Sequence, residues 1–235
     1  QRPERTTETI CPYCGVGCLL TYDVKDERIR QVRGRNGPAN LGRLCVKGRF
    51  GFDYVHHEQR ITTPLIRLPG VPKTLDGFDP AHPERYFRAA TWEEALAHAA
   101  AGLQQLRAQF GPAALAGFGS AKGSNEEAYL FQKLVRTGFG SNNVDHCTRL
   151  CHASSVAALL EGLGSGAVSN PVVDVSAADV IIIIGANPTV NHPVAASLMK
   201  NAAQAGKTLI LMDPRRTELA RHAQYVLQFK PDSDV

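Results

Sequence analysis

Six cysteines give this sequence of 235 residues its first chemical signal, because four of them form one group and two form another. The segment Cys-Pro-Tyr-Cys-Gly-Val-Gly-Cys places three thiols in one short loop, and a fourth thiol follows much later. The four are Cys11, Cys14, Cys18 and Cys45. Three thiolates in one loop and one from a distance is the common iron–sulfur arrangement, whereas four-cysteine zinc sites usually divide two and two. The spacing therefore favours an iron–sulfur cluster, with zinc as the competing interpretation.

Two glycines and a lysine accompany these cysteines. A chain that wraps a metal needs φ values that glycine adopts without strain, so Gly15 and Gly17 fit the cluster interpretation. Lys47 follows Cys45 by two residues. Its position alone favours an ordinary solvated lysine over an ammonium group that raises the reduction potential of a cluster.

The second cysteine pair lies in the segment His146–His152, which holds two thiols, two imidazoles and a guanidinium group. In a helix, Cys147 and Cys151 share one face. A thiolate suits a redox-active metal, and a neighbouring histidine exchanges a proton near neutral pH. Catalysis, zinc ligation and two buried thiols all stay open on the residues alone.

Three polar loops follow three apolar segments that predict strands, at residues 180–184, 208–212 and 225–229. In an open parallel sheet, ligands bind outside the carboxyl ends of the strands. The first loop lacks the G-x-G-x-x-G pattern of NAD sites, so we expect a nucleotide held differently, with helix amino termini at its phosphates. Turn residues that only cap helices are the alternative for each loop.

The pattern of apolar segments predicts an α/β fold: a small amino-terminal β-rich iron–sulfur domain, followed by Rossmann-like units with a parallel sheet. Strands without polar alternation indicate burial on both faces. We expect domains at 1–58, 59–146 and 147–235. The predicted elements are a hairpin at 19–24 and 28–33, further strands at 60–68 and 113–118, and helices at 42–54, 91–110, 124–138, 156–163, 193–205 and 217–221.

Composition excludes several classes of protein. Lysine and arginine number 26 against 22 aspartates and glutamates, a net charge of +4 that is too small to indicate nucleic-acid binding. Apolar runs such as 180–184 are far shorter than the roughly 20 residues of a membrane helix. Grouped cysteines indicate metal ligation in a reducing compartment, so we expect a cytoplasmic protein.

The motifs together resemble the catalytic subunit of molybdenum-dependent formate dehydrogenases, most of all the NAD-linked enzymes. The residues that carry the resemblance are the amino-terminal cysteine motif, Cys45-Val46-Lys47-Gly48, Asn143-Val144-Asp145, Arg149-Leu150-Cys151-His152, Gly185-Ala186-Asn187-Pro188 and Asp213-Pro214-Arg215. They occur in a consistent order over nearly the whole chain.

The resemblance implies a molybdenum bis(molybdopterin guanine dinucleotide) cofactor and one 4Fe-4S cluster on the four amino-terminal cysteines. It also implies that Lys47 lies between cluster and pterin as a functional residue, that Cys151 ligates molybdenum, that His152 is the active-site histidine and that Lys122 contacts the cofactor. It assigns no role to Cys147.

The resemblance further assigns one guanosine diphosphate half to the three loops. The residues implied are Gly185, Ala186, Asn187, Pro188 and Asn191 in the first loop, Asp213, Pro214 and Arg215 in the second, and Asp232 and Asp234 in the third.

The activity implied is two-electron oxidation of formate to carbon dioxide, or the reverse. The cluster relays electrons singly to partner subunits that contain flavin and further iron–sulfur clusters and that reduce NAD. Members of the family are much longer, so we expect the substrate-positioning arginine outside these residues. The alternatives are a nitrate reductase of the same superfamily, against which His152 argues, an electron-transfer subunit like that of NADH:quinone oxidoreductase, and a zinc-stabilised module.

Overall fold

A computed structural model describes residues 2–74 and 76–233, so the predicted contact Asp234 lies outside the described residues. Strands in the described part are short. They are β1 (Arg5–Ile10), β2 (Leu19–Lys25), β3 (Arg28–Gly34), β4 (Leu65–Arg67), β5 (Phe87–Ala89), β6 (Gly117–Phe118), β7 (Val144–Asp145), β8 (Val180–Ile184), β9 (Thr208–Met212) and β10 (Tyr225–Leu227).

Helices connect most of these strands. The α-helices are α1 (Val46–Phe50), α2 (Trp92–Phe110), α3 (Asn125–Lys133), α4 (Thr148–Cys151), α5 (Ala153–Leu163), α6 (Pro188–Asn191) and α7 (Pro193–Gln204). A π-helical segment, Leu134–Phe139, continues α3. Short 3-10 segments are Asp53–His56, Pro83–Arg85, Pro112–Ala114, Val172–Ser176 and Glu218–His222. None of the helices in the described ranges combines the length and apolarity needed to cross a bilayer.

The chain folds as two compact units. The first contains the residues up to His56 together with those from Ser154 onward, and the second is His57–Ala153. The mixture of helices and small sheets confirms the predicted α/β class. The domain boundaries expected near residues 58 and 146 stay a prediction.

The first unit contains an antiparallel sheet in the order β1-β2-β3, and the predicted hairpin is its second half. Asp26 and Glu27 form the turn with positive φ. Leu20 of β2 and Val32 of β3 are almost fully buried, in a cluster with Cys11 and Cys18. The sheet therefore fixes both ends of the loop that carries the first three cysteines.

The same unit contains a parallel sheet in the order β10-β9-β8, which confirms the predicted parallel arrangement. Ile181, Ile183, Leu209 and Leu211 point to one face and pack in a core with residues of α7. The expected burial on both faces is wrong for β8. Val180, Ile182 and Ile184 are 53–60% exposed, because α7 covers only the opposite face in the described residues.

The second unit confirms the predicted helix starts. Thr91 caps α2 by accepting a hydrogen bond from the backbone N–H of Glu94, and α2 ends at Phe110 with Gly111 as its C-cap. Ser124 and Glu127 form the reciprocal capping box at the start of α3. Capping satisfies N–H groups that have no partner within the helix, which is why four residues suffice to mark a helix start.

Four other predicted elements are wrong in extent. The strand expected at 60–68 is only β4, and the strand expected at 113–118 is only β6. The segment from Pro112 turns into a 3-10 helix, and Phe118 is 81% exposed rather than buried. The helix expected at 42–54 divides into α1 and a 3-10 turn, and the one at 217–221 is a 3-10 segment.

Candidate functional site

The first three cysteines lie on a closed loop between β1 and β2. The backbone N–H of Cys11 donates to the carbonyl oxygen of Cys18 (2.8 Å), and that of Gly17 donates to the carbonyl oxygen of Cys14 (3.4 Å). Gly17 has a φ of +67°, whereas Gly15 does not have positive φ. The predicted need for glycine backbone freedom is therefore met at the second glycine.

Cys45 reaches the same pocket from the start of α1. It is the N-cap residue of that helix, and its thiol makes no capping hydrogen bond. Gly48 is buried against Cys11, where an added Cβ would lie 3.4 Å from the Cys11 sulfur. The four predicted cysteines, Lys47 and Asn191 all line this one pocket.

The pocket disfavours isolated thiolate charge. Burial, and after it the neighbouring thiols of Cys11, Cys14 and Cys45, together raise the pKa of the Cys18 thiol to about 11. Burial also raises the pKa of Cys11. Four thiolates can coexist here when a metal centre supplies positive charge.

The donor set fits an iron–sulfur cluster. All six cysteines are free, and four of them line the pocket as soft sulfur ligands, three from one loop and one from another. Within residues 2–74 and 76–233, no group of three or more His, Cys, Asp or Glu residues is arranged to hold a single metal ion.

Sequence reasoning missed the contribution of α7 to this pocket. Pro193 and Val194, at the start of that helix, line the pocket beside the cysteines, and Val194 is 4% exposed. Val194 belongs to the same buried cluster as Cys11 and Cys18. A single buried valine gives no local signal in the sequence, because its partners come from the other end of the chain.

The three predicted nucleotide loops share one edge of the parallel sheet, since their strands are adjacent and parallel. The backbone N–H of Gly185 donates to the carbonyl oxygen of Met212 (2.9 Å), and the side chain of Gln228 donates to the carbonyl oxygen of Pro214 (2.8 Å). The first bond holds the start of the first loop against the end of β9, and the second holds the second loop against the residue that follows β10. In the first loop, Asn187 is the N-cap residue of α6, Ala186 is exposed and Pro188 is buried.

The short helix α6 connects this edge to the cysteine pocket. It begins in the first nucleotide loop and ends at Asn191, which lines the cysteine pocket. The structure thus brings one predicted nucleotide-binding residue next to the predicted cluster ligands.

The second loop contains a buried carboxylate and a hydroxyl without a partner. Asp213 is 3% exposed and accepts a hydrogen bond from the backbone N–H of Arg215 (2.8 Å). Thr217 is 9% exposed, and its Oγ1 has no hydrogen-bond partner among the described residues. Such a buried hydroxyl costs stability unless a ligand satisfies it, so this loop fits a polar ligand. In the third loop, Asp232 is exposed with a φ of +58°.

The predicted molybdenum ligand lies in the second unit, at the end of α4. Cys151 is exposed, and its backbone N–H donates to the carbonyl oxygen of Cys147 (2.9 Å), so the two cysteines occupy successive turns. Arg149, a candidate anion ligand, instead pairs with Asp145 (3.2 Å). The pKa of Asp145 is lowered, first by the backbone N–H of His146 and then by Arg149.

Thr148 joins the two histidines of this segment. Its Oγ1 lies 2.6 Å from Nδ1 of His146 and 3.4 Å from Nε2 of His152. Its backbone N–H donates to Nδ1 of His146 (3.1 Å), so that nitrogen is an acceptor. The hydroxyl can then donate to His146 and accept from Nε2–H of His152.

A cavity of about 620 Å³ lies in the second unit. Lys122 and His146 line it, together with residues of α3 such as Glu127 and Phe131. The structure therefore brings the predicted cofactor contact Lys122 close to the start of the Cys151 segment, while Cys151 and His152 are exposed outside the cavity lining.

Comparisons with known proteins match almost the whole chain to two family descriptions. The family described as "Molybdopterin oxidoreductase Fe4S4 domain" matches residues 4–57, and "Molybdopterin oxidoreductase" matches residues 60–235. Acetylene hydratase from Pelobacter acetylenicus shares the fold, with a TM-score of 0.69 and 18% identity over 93% of this chain and 29% of that one.

Curated relatives match nearly the whole chain. The F420-dependent formate dehydrogenase 2 subunit alpha of Methanococcus maripaludis is 38% identical over 98% of this chain and 32% of its own length. Formate dehydrogenase H of Escherichia coli is 35% identical over 97% and 31%. Probable oxidoreductase YjgC of Bacillus subtilis is 39% identical over 98% and 22%. The chain spans about a third or less of the length of these relatives.

Proposed function

Because the chain belongs to the molybdopterin oxidoreductase family, we propose that it forms part of the catalytic subunit of a formate dehydrogenase. The reaction is the two-electron oxidation of formate to carbon dioxide, or its reverse. The observation that carries the proposal is the similarity to subunits named formate dehydrogenase, at 35–38% identity over nearly the whole chain. A molybdopterin cofactor and a 4Fe-4S cluster come with the family.

In this proposal the four cysteines of the amino-terminal pocket hold the 4Fe-4S cluster. Their shared pocket and their soft sulfur ligands support the assignment. Lys47, in α1, lines the same pocket, where its ammonium group would favour reduction of a bound cluster. The pterin would lie on the other side of this side chain.

Cys151 binds the molybdenum, which supplies a centre that accepts two electrons at once. His152 holds or releases a proton at Nε2, the atom that faces the hydroxyl of Thr148. Lys122 contacts the cofactor from the cavity of the second unit, where its charge suits a phosphate or pterin oxygen.

The cofactor carries two guanine dinucleotides in this proposal, and the three loops at the sheet edge hold one of them. Asp213 is buried at that edge, where its carboxylate can accept hydrogen bonds from a base or sugar. The hydroxyl of Thr217 supports a polar ligand in the same loop. Gly185 and Asn187 present backbone and amide groups from the neighbouring loop, at the amino-terminal side of α6. Asn191 presents its amide at the other end of that helix.

A cluster on these cysteines would supply one-electron transfer to partner subunits that contain flavin and iron–sulfur clusters, and NAD is the final acceptor that we propose. Deazaflavin F420 is the second candidate, because the Methanococcus maripaludis relative is named F420-dependent. To decide between them, the rate at which formate reduces each acceptor is measured with the enzyme purified together with its partner subunits. The cytoplasm is the compartment that we propose, since the six cysteines are free.

Replacement of Cys151 in the full-length enzyme tests the function. We expect Cys151→Ala to lower formate oxidation with a dye acceptor by about 100-fold or more, because the metal loses a protein ligand. Cys147→Ala is the matched control, since Cys147 lies one helical turn earlier and has no assigned role. Formate oxidation by Cys151→Ala at the wild-type rate, with molybdenum still bound, would contradict the proposed role.

A further inference from the structure

Asn40 is a buried polar side chain that the proposed function does not use. It is 1% exposed, and both ends of its amide group are hydrogen-bonded. Oδ1 accepts from the backbone N–H of Leu19 (3.2 Å). The two N–H groups of Nδ2 are shared among three carbonyl oxygens within hydrogen-bond distance, those of Leu19 (3.2 Å), Arg35 (3.1 Å) and Arg43 (2.9 Å). A fully satisfied buried amide of this kind fixes the backbone segments that it joins.

The backbone groups that Asn40 joins flank two of the predicted cluster ligands. Leu19 directly follows Cys18, and Arg43 precedes Cys45 by two residues. One amide therefore connects the chain just after the third cysteine to the chain just before the fourth. No β-sheet bond makes this connection, because β3 ends at Gly34 and α1 begins at Val46.

The loop between Gly34 and Val46 needs such a fixing group, because its backbone is strained. Leu41 has a φ of +47°, an uncommon conformation for a side chain of this kind. Strain of this type persists where surrounding contacts hold it. Gly37 leaves the space for the amide, since an added Cβ would lie 2.6 Å from Oδ1 of Asn40.

We propose that Asn40 is a positioning residue for the iron–sulfur cluster, and that its amide holds Cys45 at the distance from Cys18 that the cluster requires. The inference rests on the proposed cluster ligands. Asn40 acts through the backbone on both sides of the cluster and does not itself bind the metal. Loss of the amide frees the loop, and the fourth ligand then leaves the cluster more readily.

Substitutions of Asn40 in the full-length, cluster-loaded protein test this role. Asn40→Ala removes all four bonds, and Asn40→Asp keeps the size but points a carboxylate at three carbonyl oxygens. We expect each to accelerate iron loss to a chelator by about tenfold or more, as for other residues that orient metal ligands. We also expect a changed electron paramagnetic resonance spectrum of the reduced cluster. Asn36→Ala, at an exposed asparagine of the same loop, should behave as wild type.

The variant Cys45→Ala tests whether Asn40 acts by positioning Cys45 or by stabilising the fold in general. In a Cys45→Ala background the positioned ligand is gone, so Asn40→Ala should accelerate iron loss much less than in the wild type. An equal acceleration in both backgrounds would overturn the inference, as would wild-type iron loss and spectrum in Asn40→Ala itself.

The same set of variants distinguishes this inference from the proposed function. If Cys45→Ala alone keeps the wild-type iron content and spectrum, the proposed cluster ligands are wrong and the role of Asn40 falls with them. If Cys45→Ala changes both properties while Asn40→Ala changes neither, the ligands stand and only the role of Asn40 is wrong. Should Asn40→Asp fail to fold, Asn40→Ala gives the decisive comparison.

Discussion

The backbone N–H of Cys11 donates a hydrogen bond to the carbonyl oxygen of Cys18, at 2.8 Å. These two cysteines are buried, and they lie where β1 ends and β2 begins. The bond continues the antiparallel ladder by one step and closes the loop that carries Cys14. The protein backbone alone thus arranges three of the proposed ligands, which lowers the entropy cost of binding a cluster.

Closure of this loop depends on Gly17, whose φ of +67° is unfavourable for other residues. We expect Gly17→Ala to lower the free energy of unfolding by about 1 kcal/mol, because alanine is strained in the left-handed region. Chemical denaturation of the cluster-free protein measures the change. Gly15→Ala is the matched control: Gly15 lacks positive φ, and an added Cβ meets no atom within 4 Å. Equal losses for the two variants would show that the backbone conformation of Gly17 is not the cause.

The hairpin formed by β2 and β3 contains an ion pair, and this pair should make the stability of the protein depend on pH in the acid range. Arg33 donates two hydrogen bonds of 2.7 Å to Asp23, and these bonds lower the pKa of the Asp23 carboxyl group. A carboxyl group whose folded pKa lies below its unfolded value near 4 stabilises the fold above that pH. The contribution is lost as the pH falls through the folded pKa.

Asp23→Asn therefore tests the contribution of this pair. We expect the variant to be less stable than wild type at pH 7 and to lose less stability on acidification from about pH 5 to pH 2. Urea denaturation at each pH gives the two profiles. Asp26→Asn is the control, because Asp26 pairs with Arg30 at an exposed position and such pairs contribute little. Parallel profiles for wild type and Asp23→Asn would show that Asp23 is not the group that titrates.

Features that depend on neighbouring residues, such as helix starts, are predictable from the sequence. Features that depend on contacts between distant residues are not. The capping box of Ser124 and Glu127 needs only four residues, so the sequence contained the whole signal. Asn40 instead bonds to Leu19 across 21 positions, and its neighbours give no hint of that partner. Apolar composition predicted a buried strand at 113–118 that includes Phe118. Composition does not reveal that only two residues, Gly117 and Phe118, pair with β7.

The candidate site shows the same division. Cysteine spacing predicted four ligands, and the structure gathers all four in one pocket. Val194 could not be assigned to that pocket, because only the folded chain brings α7 to the cysteine loop. The sequence also could not predict that the hydroxyl of Thr217 is buried without a partner among residues 2–74 and 76–233, since both properties arise from packing.

The hydroxyl of Thr217 gives a test of the nucleotide loops. We expect Thr217→Val to leave the cofactor-free fold at least as stable as wild type, because it removes a buried polar group that has no partner in the part of the chain that the structure describes. We expect the guanine nucleotide content of the purified full-length protein to fall, since the cofactor loses a hydrogen bond. Nucleotide release by acid and chromatography measures this content.

Thr217→Ser is the matched variant, because it keeps the hydroxyl and should retain the nucleotide. Unchanged nucleotide content in Thr217→Val would show that this hydroxyl does not contact the cofactor.

The hydroxyl of Thr148 connects the two histidines near Cys151, and its removal tests whether this connection supports turnover. Its hydroxyl lies between Nδ1 of His146 and Nε2 of His152, where it can donate to the first ring and accept from Nε2–H of the second. Thr148→Val keeps the shape but removes the hydroxyl, so His152 loses its orienting partner. We expect formate oxidation at saturating formate to fall about tenfold, as for other groups that orient active-site residues.

Thr148→Ser restores the hydroxyl and should recover most of the rate, which a purely steric role of the methyl group would not predict. Thr137→Val is the control, because the Thr137 hydroxyl donates to the carbonyl oxygen of Lys133 within its own helical turn. Steady-state rates with a dye acceptor, normalised to molybdenum content, separate turnover from cofactor loss. If Thr148→Ser is as slow as Thr148→Val, the methyl group rather than the hydroxyl supports His152, and the bridge between the two imidazoles is not used in turnover.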